Sequence, residues 1–154
     1  MKHRLIIPIA LAAAVAAAST VAVAGTAASG TGKILDLAGT VTEFHVAFDA
    51  KPAGQSAGDI GYETGTLSTH GKHIGRFQGV CTQLPQGSSQ CSFTLGLPDG
   101  QILIQAAYGP GFNTGAVAQE AIVGGTGAYA GIRGQGRDRE LSNTKLAFHL
   151  ELSQ

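Results

Sequence analysis

Beyond residue 33, apolar and polar positions alternate every second residue rather than every third or fourth. From 40 to 48, Thr40, Thr42, Phe44, Val46 and Phe48 alternate with Val41, Glu43, His45 and Ala47. Within 74–83, Phe77, Gly79 and Cys81 alternate with Arg76, Gln78 and Val80, and the 91–97 segment behaves in the same way. Asp99-Gly100 supplies the positive φ of a tight hairpin turn, after which Gln101–Tyr108 returns as the next strand. Further runs fall at 59–69, 117–123, 128–137 and 144–152. About eight strands at this spacing predict an all-β sandwich or a closed barrel. Closure is favoured because it removes exposed strand edges.

The first 24 residues depart from this pattern. Lys2, His3 and Arg4 precede an apolar, Ala-rich run from Leu5 to Val23, and Ala22-Val23-Ala24 is a small-x-small site. This is the layout of a cleaved secretory signal peptide. An uncleaved anchor is the rival, but Pro8 and the many alanines make a weak span. The organisation read from this is a signal peptide at 1–24, a flexible lead-in at 25–32 and a β-barrel domain at 33–154. Export follows as the expected localisation.

Cleavage leaves 130 residues, enough for one domain with a real core. They carry 8 basic and 10 acidic side chains, so no basic surplus remains to neutralise phosphates, which argues against nucleic acid as a partner. No mature segment approaches the ~20 apolar residues of a spanning helix, so stable membrane insertion is not expected.

Two cysteines remain, Cys81 and Cys91, on consecutive strands flanking a loop with Pro85, Gly87, Ser88 and Ser89. In an exported chain they are expected to form a disulfide. One free thiol acting as a nucleophile is the alternative. The histidines form no cluster with structural-zinc spacing, so no metal or other cofactor is expected. The run Ala121 to Gly131 imitates a strand leading into a Gly-rich phosphate turn. A dinucleotide fold would need a helix next, whereas glycines recur at 131, 134 and 136. A tight turn between two strands fits better.

The same segment, Val123-Gly124-Gly125-Thr126-Gly127-Ala128-Tyr129, resembles the Gly-Gly-Thr-Gly turn of plant dirigent proteins and the Gly-Gly-Ala-Gly turn of plant allene oxide cyclases. Gly58-Asp59, the Gly71–Cys81 stretch, Gly100–Tyr108 and Thr144-Lys145-Leu146 follow in the family's order. Together they cover about 40–152, and the two-cysteine hairpin resembles a bacterial secreted branch. The resemblance implies an eight-stranded antiparallel β-barrel assembled as a homotrimer. It also implies a hydrophobic small-molecule partner whose cyclisation or stereoselective coupling the cavity steers, as an isomerase-like cyclase would. A non-catalytic secreted carrier of an apolar ligand is the alternative.

By the same resemblance, an inward glutamate and asparagine of the cyclase first strand fall on Glu43 and His45, the expected catalytic pair. The cyclase cysteine falls on Cys81 and a pocket tyrosine on Tyr108, while a second pocket asparagine falls on Gly65. Asparagine is thus replaced at 45 and 65, and a Cys81 tied to Cys91 cannot serve as a thiol. Alternation permits two registers for this strand. One turns Glu43 and His45 inward and leaves Phe44, Val46 and Phe48 on an outer wall, to be covered by the trimer. The other buries the aromatics and solvates Glu43 and His45. The resemblance favours the first. An inward glutamate among apolar walls would resist ionising and could exchange protons near neutrality. Tyr108, Phe77, Phe93, Ile104 and Glu120 are the remaining expected ligand-lining residues, Glu120 being equally compatible with a solvated position.

Overall fold

The computed structural model describes residues 32–111 and 113–154. The expected signal peptide, its cleavage site and residues 25–31 lie outside the described residues. Eight strands follow in chain order: β1 Lys33–Phe48, β2 Ile60–Thr69, β3 Lys72–Gln83, β4 Ser89–Leu97, β5 Gly100–Tyr108, β6 Val117–Gly127, β7 Arg133–Ser142 and β8 Lys145–Ser153. Each pairs antiparallel with the next, and β8 pairs with β1, so the sheet closes into a barrel without an edge. The two-residue alternation has this cause: one set of side chains enters the barrel and the other meets solvent.

One end of the barrel is filled. Leu67, Phe77, Leu95, Ile102, Phe148, Leu150 and Leu152 are buried there, with Phe77 edge-on to Phe148 at 6.1 Å between ring centroids. Absent side chains make room for the rings. A Cβ at Gly65 would run into the Phe77 ring, and one at Gly79 into the Phe93 ring. Cys81 and Cys91 face each other in the β3–β4 register and are joined as a disulfide, with Cα atoms 4.1 Å apart.

The opposite end is open and framed by the longer loops. Asp59 ties down the β1–β2 loop: its Oδ1 accepts the Ala50 N–H and its Oδ2 the Ser56 N–H, each at 2.8 Å. These amide donors, Ser56 foremost, hold its carboxyl below the ordinary aspartate value.

Three local details differ from the pattern reading. β1 starts at Lys33 rather than near residue 40, because Leu35, Leu37 and Gly39 already line the interior against β8. β7 starts at Arg133 rather than 128. The Tyr129 N–H donates to the Thr126 carbonyl and the Ala130 N–H to the Gly127 carbonyl, each at 3.1 Å, which makes 128–131 the turn. Leu97 pairs with Gly100, so the β4–β5 hairpin turns on Pro98 and Asp99, and Gly100 opens β5. The Gly-rich segment is strand followed by turn, with Gly127 at φ 61° and Gly131 at φ 77°.

Candidate active site at the open end of the barrel

The inward positions of β7 are Gly134, Gly136, Asp138 and Glu140, because Arg133, Gln135, Arg137 and Arg139 take the outer face. On β2 the same alternation sends Gly61, Glu63, Gly65 and Leu67 inward. β5 contributes Tyr108 and β6 contributes Glu120. The interior near the open end is therefore acidic. Glu120 is 4% exposed and Asp138 2% exposed, deeper than almost any carboxylate without a cationic partner.

The Tyr108 hydroxyl donates to Asp138 Oδ2 at 3.0 Å. Asp138 Oδ1 and both Glu120 oxygens have no hydrogen-bond partner. Gly136 leaves room for this arrangement, since a Cβ there would stand 3.0 Å from Glu120 Oε2 and 2.7 Å from Leu150 Cδ2.

Burial sets the proton affinities. Desolvation, with help from the Asp138 charge, pushes Glu120 up to about 8. Desolvation also raises Asp138, to about 6, while the Tyr108 hydroxyl and the backbone N–H groups of Asp138 and Ala118 hold it back. Glu63 is raised by desolvation and by the charges of Asp138 and Glu140. Tyr108 is raised by desolvation and by the charges of Asp138 and Glu120, so its phenol stays protonated and donating. Near neutral pH, Glu120 keeps its proton while Asp138 is largely ionised. Two carboxyl groups held apart in this way are an acid and a base side by side.

Of these groups, Glu63, Tyr108 and Asp138 border a cavity of about 540 Å³, walled by Val41, Phe44, Phe93 and Leu146 and also lined by Glu140, whereas Glu120 lies behind Asp138 and does not border it. Loop residues Gln55, Gln86, Pro110 and Asn143 frame its entrance. Among the described residues, no group of three His, Cys, Asp or Glu side chains could hold a metal ion.

Of the sequence-predicted ligand residues, Tyr108 and Phe93 line this cavity. Glu120 points into the interior beside Asp138 and is not a solvated strand position. Phe77 and Ile104 are packed in the core, 2% and 1% exposed, and do not border the cavity.

Glu43 and His45 are a correction. They lie on the outer wall, half-exposed, paired with each other at 2.8 Å from Glu43 Oε1 to His45 Nε2, and His45 stacks on Tyr62. The physical reason is a β-bulge. Val41 pairs with Gly65 and Glu43 with Thr64, which leaves Thr42 as an extra residue. One extra residue exchanges the faces of everything beyond it. Leu35, Leu37, Gly39 and Val41 face inward before the bulge, and Phe44 stands opposite inward Glu63 after it. Phe44, Val46 and Phe48 are exposed, at 65%, 59% and 56%, but they do not share one outer wall as anticipated. Val46 follows Phe44, opposite Gly61, whereas a second irregularity at Ala47 leaves Phe48 outside, opposite Ile60.

Glu63, Asp138 and Glu140 were not singled out by the sequence. Arg137-Asp138-Arg139-Glu140 reads as a solvated charged strand. The available signal was the alternation itself: arginine and glutamine on one face of β7, glycine and acid on the other.

A closed eight-stranded antiparallel barrel, packed at one end and holding a carboxylate-lined cavity at the other, defines a class of small-molecule barrels. The model of the allene oxide cyclase barrel like domain matches residues 40–149, and the chain belongs to that family. A pyocyanin demethylase structure is similar at 26% identity and a TM-score of 0.69, over 79% of this chain and all of that one. The pterocarpan synthase dirigent protein GePTS1 is similar at 17% identity and a TM-score of 0.59, covering 79% of this chain and 87% of its own. The Diels Alderase AbmU from Streptomyces koyangensis is similar at 21% and 0.58, covering 83% and 72%. A search of curated proteins finds no match.

Proposed function

We propose that this protein is an exported barrel enzyme that takes an apolar small molecule into the open-end cavity and steers its cyclisation or coupling with acid–base help. The observation that carries the reading is the Tyr108–Asp138 hydrogen bond at the cavity wall, beside a Glu120 that holds its proton near neutrality. Asp138, at the cavity wall, is the base, and the Tyr108 phenol fixes its Oδ2. Glu120 is the proton reserve behind it. The apolar walls supply conformation, which is most of what a unimolecular ring closure needs. Similarity to a protein whose name denotes demethylation of a small organic molecule supports a reacting ligand in such a cavity. The dirigent and Diels Alderase structures support the fold.

The disulfide supports export, since oxidising compartments are where such bonds persist. The proposal includes self-association as a homotrimer, supported by the exposed outer-wall side chains Phe48, Ile60 and Val80 on β1–β3. Light scattering of the secreted protein reads the stoichiometry.

Native mass spectrometry of protein purified from its producing culture tests the main reading. A co-purified apolar molecule is expected, converted by the wild type and converted ~10²–10⁴-fold more slowly by Asp138→Asn. Return of that molecule unchanged by the wild type would instead make the protein a carrier.

A further inference from the structure

The charges around the cavity have one sign. Glu63, Asp138 and Glu140 line it, and no lysine, arginine or histidine is among its lining residues. Glu120 stands behind Asp138, close enough for the two to influence each other's protonation. The cationic side chains nearest in sequence are turned away: Arg137 and Arg139 take the outer face of β7. His45 and His149 are paired outside, with Glu43 and with Asp36 at 2.7 Å.

An independent observation shows that the arrangement is incomplete. Asp138 is 2% exposed, its Oδ1 has no hydrogen-bond partner, and the residue borders the cavity. An ionised carboxylate with an unsatisfied buried oxygen is costly unless a counter-charge or donor comes from outside the chain. A metal ion does not fit, because no three carboxylate or imidazole groups converge among the described residues. The walls are wrong for one as well: Val41, Phe44, Phe93 and Leu146 ask for an organic body. Aromatic faces beside carboxylates suit a delocalised positive charge.

Resting on the small-molecule reading above, we propose that the ligand is an organic cation, a ring-bearing apolar molecule with a positively charged or basic nitrogen, seated beside the Asp138 carboxylate at the cavity wall. Its charge supplies the positive group that the cavity lining does not contain. Tyr62, Glu63, Tyr108 and Glu140 are the other titratable groups that line the cavity, with Glu120 behind Asp138, and no lysine, arginine or histidine lines it. A bound cation therefore stabilises the ionised carboxylates and draws a proton from Glu120 as it enters.

Calorimetry on the full secreted protein at pH 7 tests this with three probes of one shape: N-methylquinolinium, neutral 1-methylnaphthalene and anionic 1-naphthoate. The cation is expected to bind at least tenfold tighter than the neutral probe, and the anion weakest. Its binding heat should change with the ionisation enthalpy of the buffer, revealing released protons, whereas that of the neutral probe should not. Asp138→Asn should weaken the cation tenfold or more and leave the neutral probe within about twofold. If that variant fails to fold, the double variant Glu63→Gln, Glu140→Gln should show the same selective loss. Equal binding of cation and neutral probe would overturn the cation proposal and leave the apolar cavity standing. Failure of all three probes to bind would overturn the cavity reading as well.

Discussion

The Tyr108 hydroxyl reaches Asp138 Oδ2 at 3.0 Å across the barrel interior, joining β5 to β7 over the intervening β6. These strands share no ladder hydrogen bonds, so the contact depends on barrel curvature rather than on strand pairing. It also distinguishes the two aspartate oxygens, Oδ2 fixed by the phenol and Oδ1 buried without a hydrogen-bond partner.

Tyr108→Phe removes that donor and leaves ring packing nearly unchanged. Because the phenol holds the Asp138 carboxyl down, the Asp138 pKa is expected to rise from about 6. Carboxyl NMR titration reads the shift, and an unchanged or lowered value would contradict the assigned bond. The variant should lose ~1–3 kcal/mol in urea unfolding, the usual range for a hydrogen bond to a charged or buried group.

Stability should fall as pH rises. Glu120 titrates at about 8 in the fold against an ordinary 4.5, and Asp138 at about 6 against 3.8, so between these limits the folded chain binds more protons than the unfolded one. The stability slope with pH is then negative, and the contribution of the neutral forms is lost as pH climbs through 6 and then 8. Urea midpoints should drop between pH 5 and pH 8 by a few kcal/mol equivalent, at ~1.4 kcal/mol per unit. Glu120→Gln should flatten most of this dependence. A wild type more stable at pH 8 than at pH 5 would refute the burial argument.

Glu43→Ala and His45→Ala, alone or together, should change stability by less than ~1 kcal/mol, as exposed ion pairs do. Binding of any cavity ligand should be unaffected. A loss of binding from either change would return this pair to the interior and contradict the bulge at Thr42.

Replacing Cys81 and Cys91 together by serine should cost ~2–5 kcal/mol in denaturant unfolding. Oligomeric state in the folded fraction serves as the control, because the bridge joins neighbouring strands β3 and β4; Cys81 also lines the cavity, so ligand affinity is expected to respond as well. Equal stability with and without reductant would show that the bridge contributes nothing.

Period-two alternation, closely spaced turns and the hairpin between Cys81 and Cys91 are local properties; they narrowed the fold to an all-β sandwich or closed barrel and favoured the disulfide, and the family resemblance pointed to the eight-stranded barrel that the structure shows. Tyr108 was reached through the family resemblance, and Glu120 as a carboxylate in an otherwise apolar strand that left its face open. The interior of β1 was not legible. Whether Glu43 or Phe44 faces inward depends on one unpaired residue at Thr42, and a bulge arises from pairing with β2 rather than from the β1 sequence. Nor could Asp138 be recognised between two arginines. An alternating charged strand has two equivalent faces until neighbouring strands and barrel closure choose one. That choice turned the arginines to water and left two carboxyl groups, Asp138 and Glu120, without a cation inside an apolar wall. Desolvation, a property of the assembled barrel alone, then set their protonation.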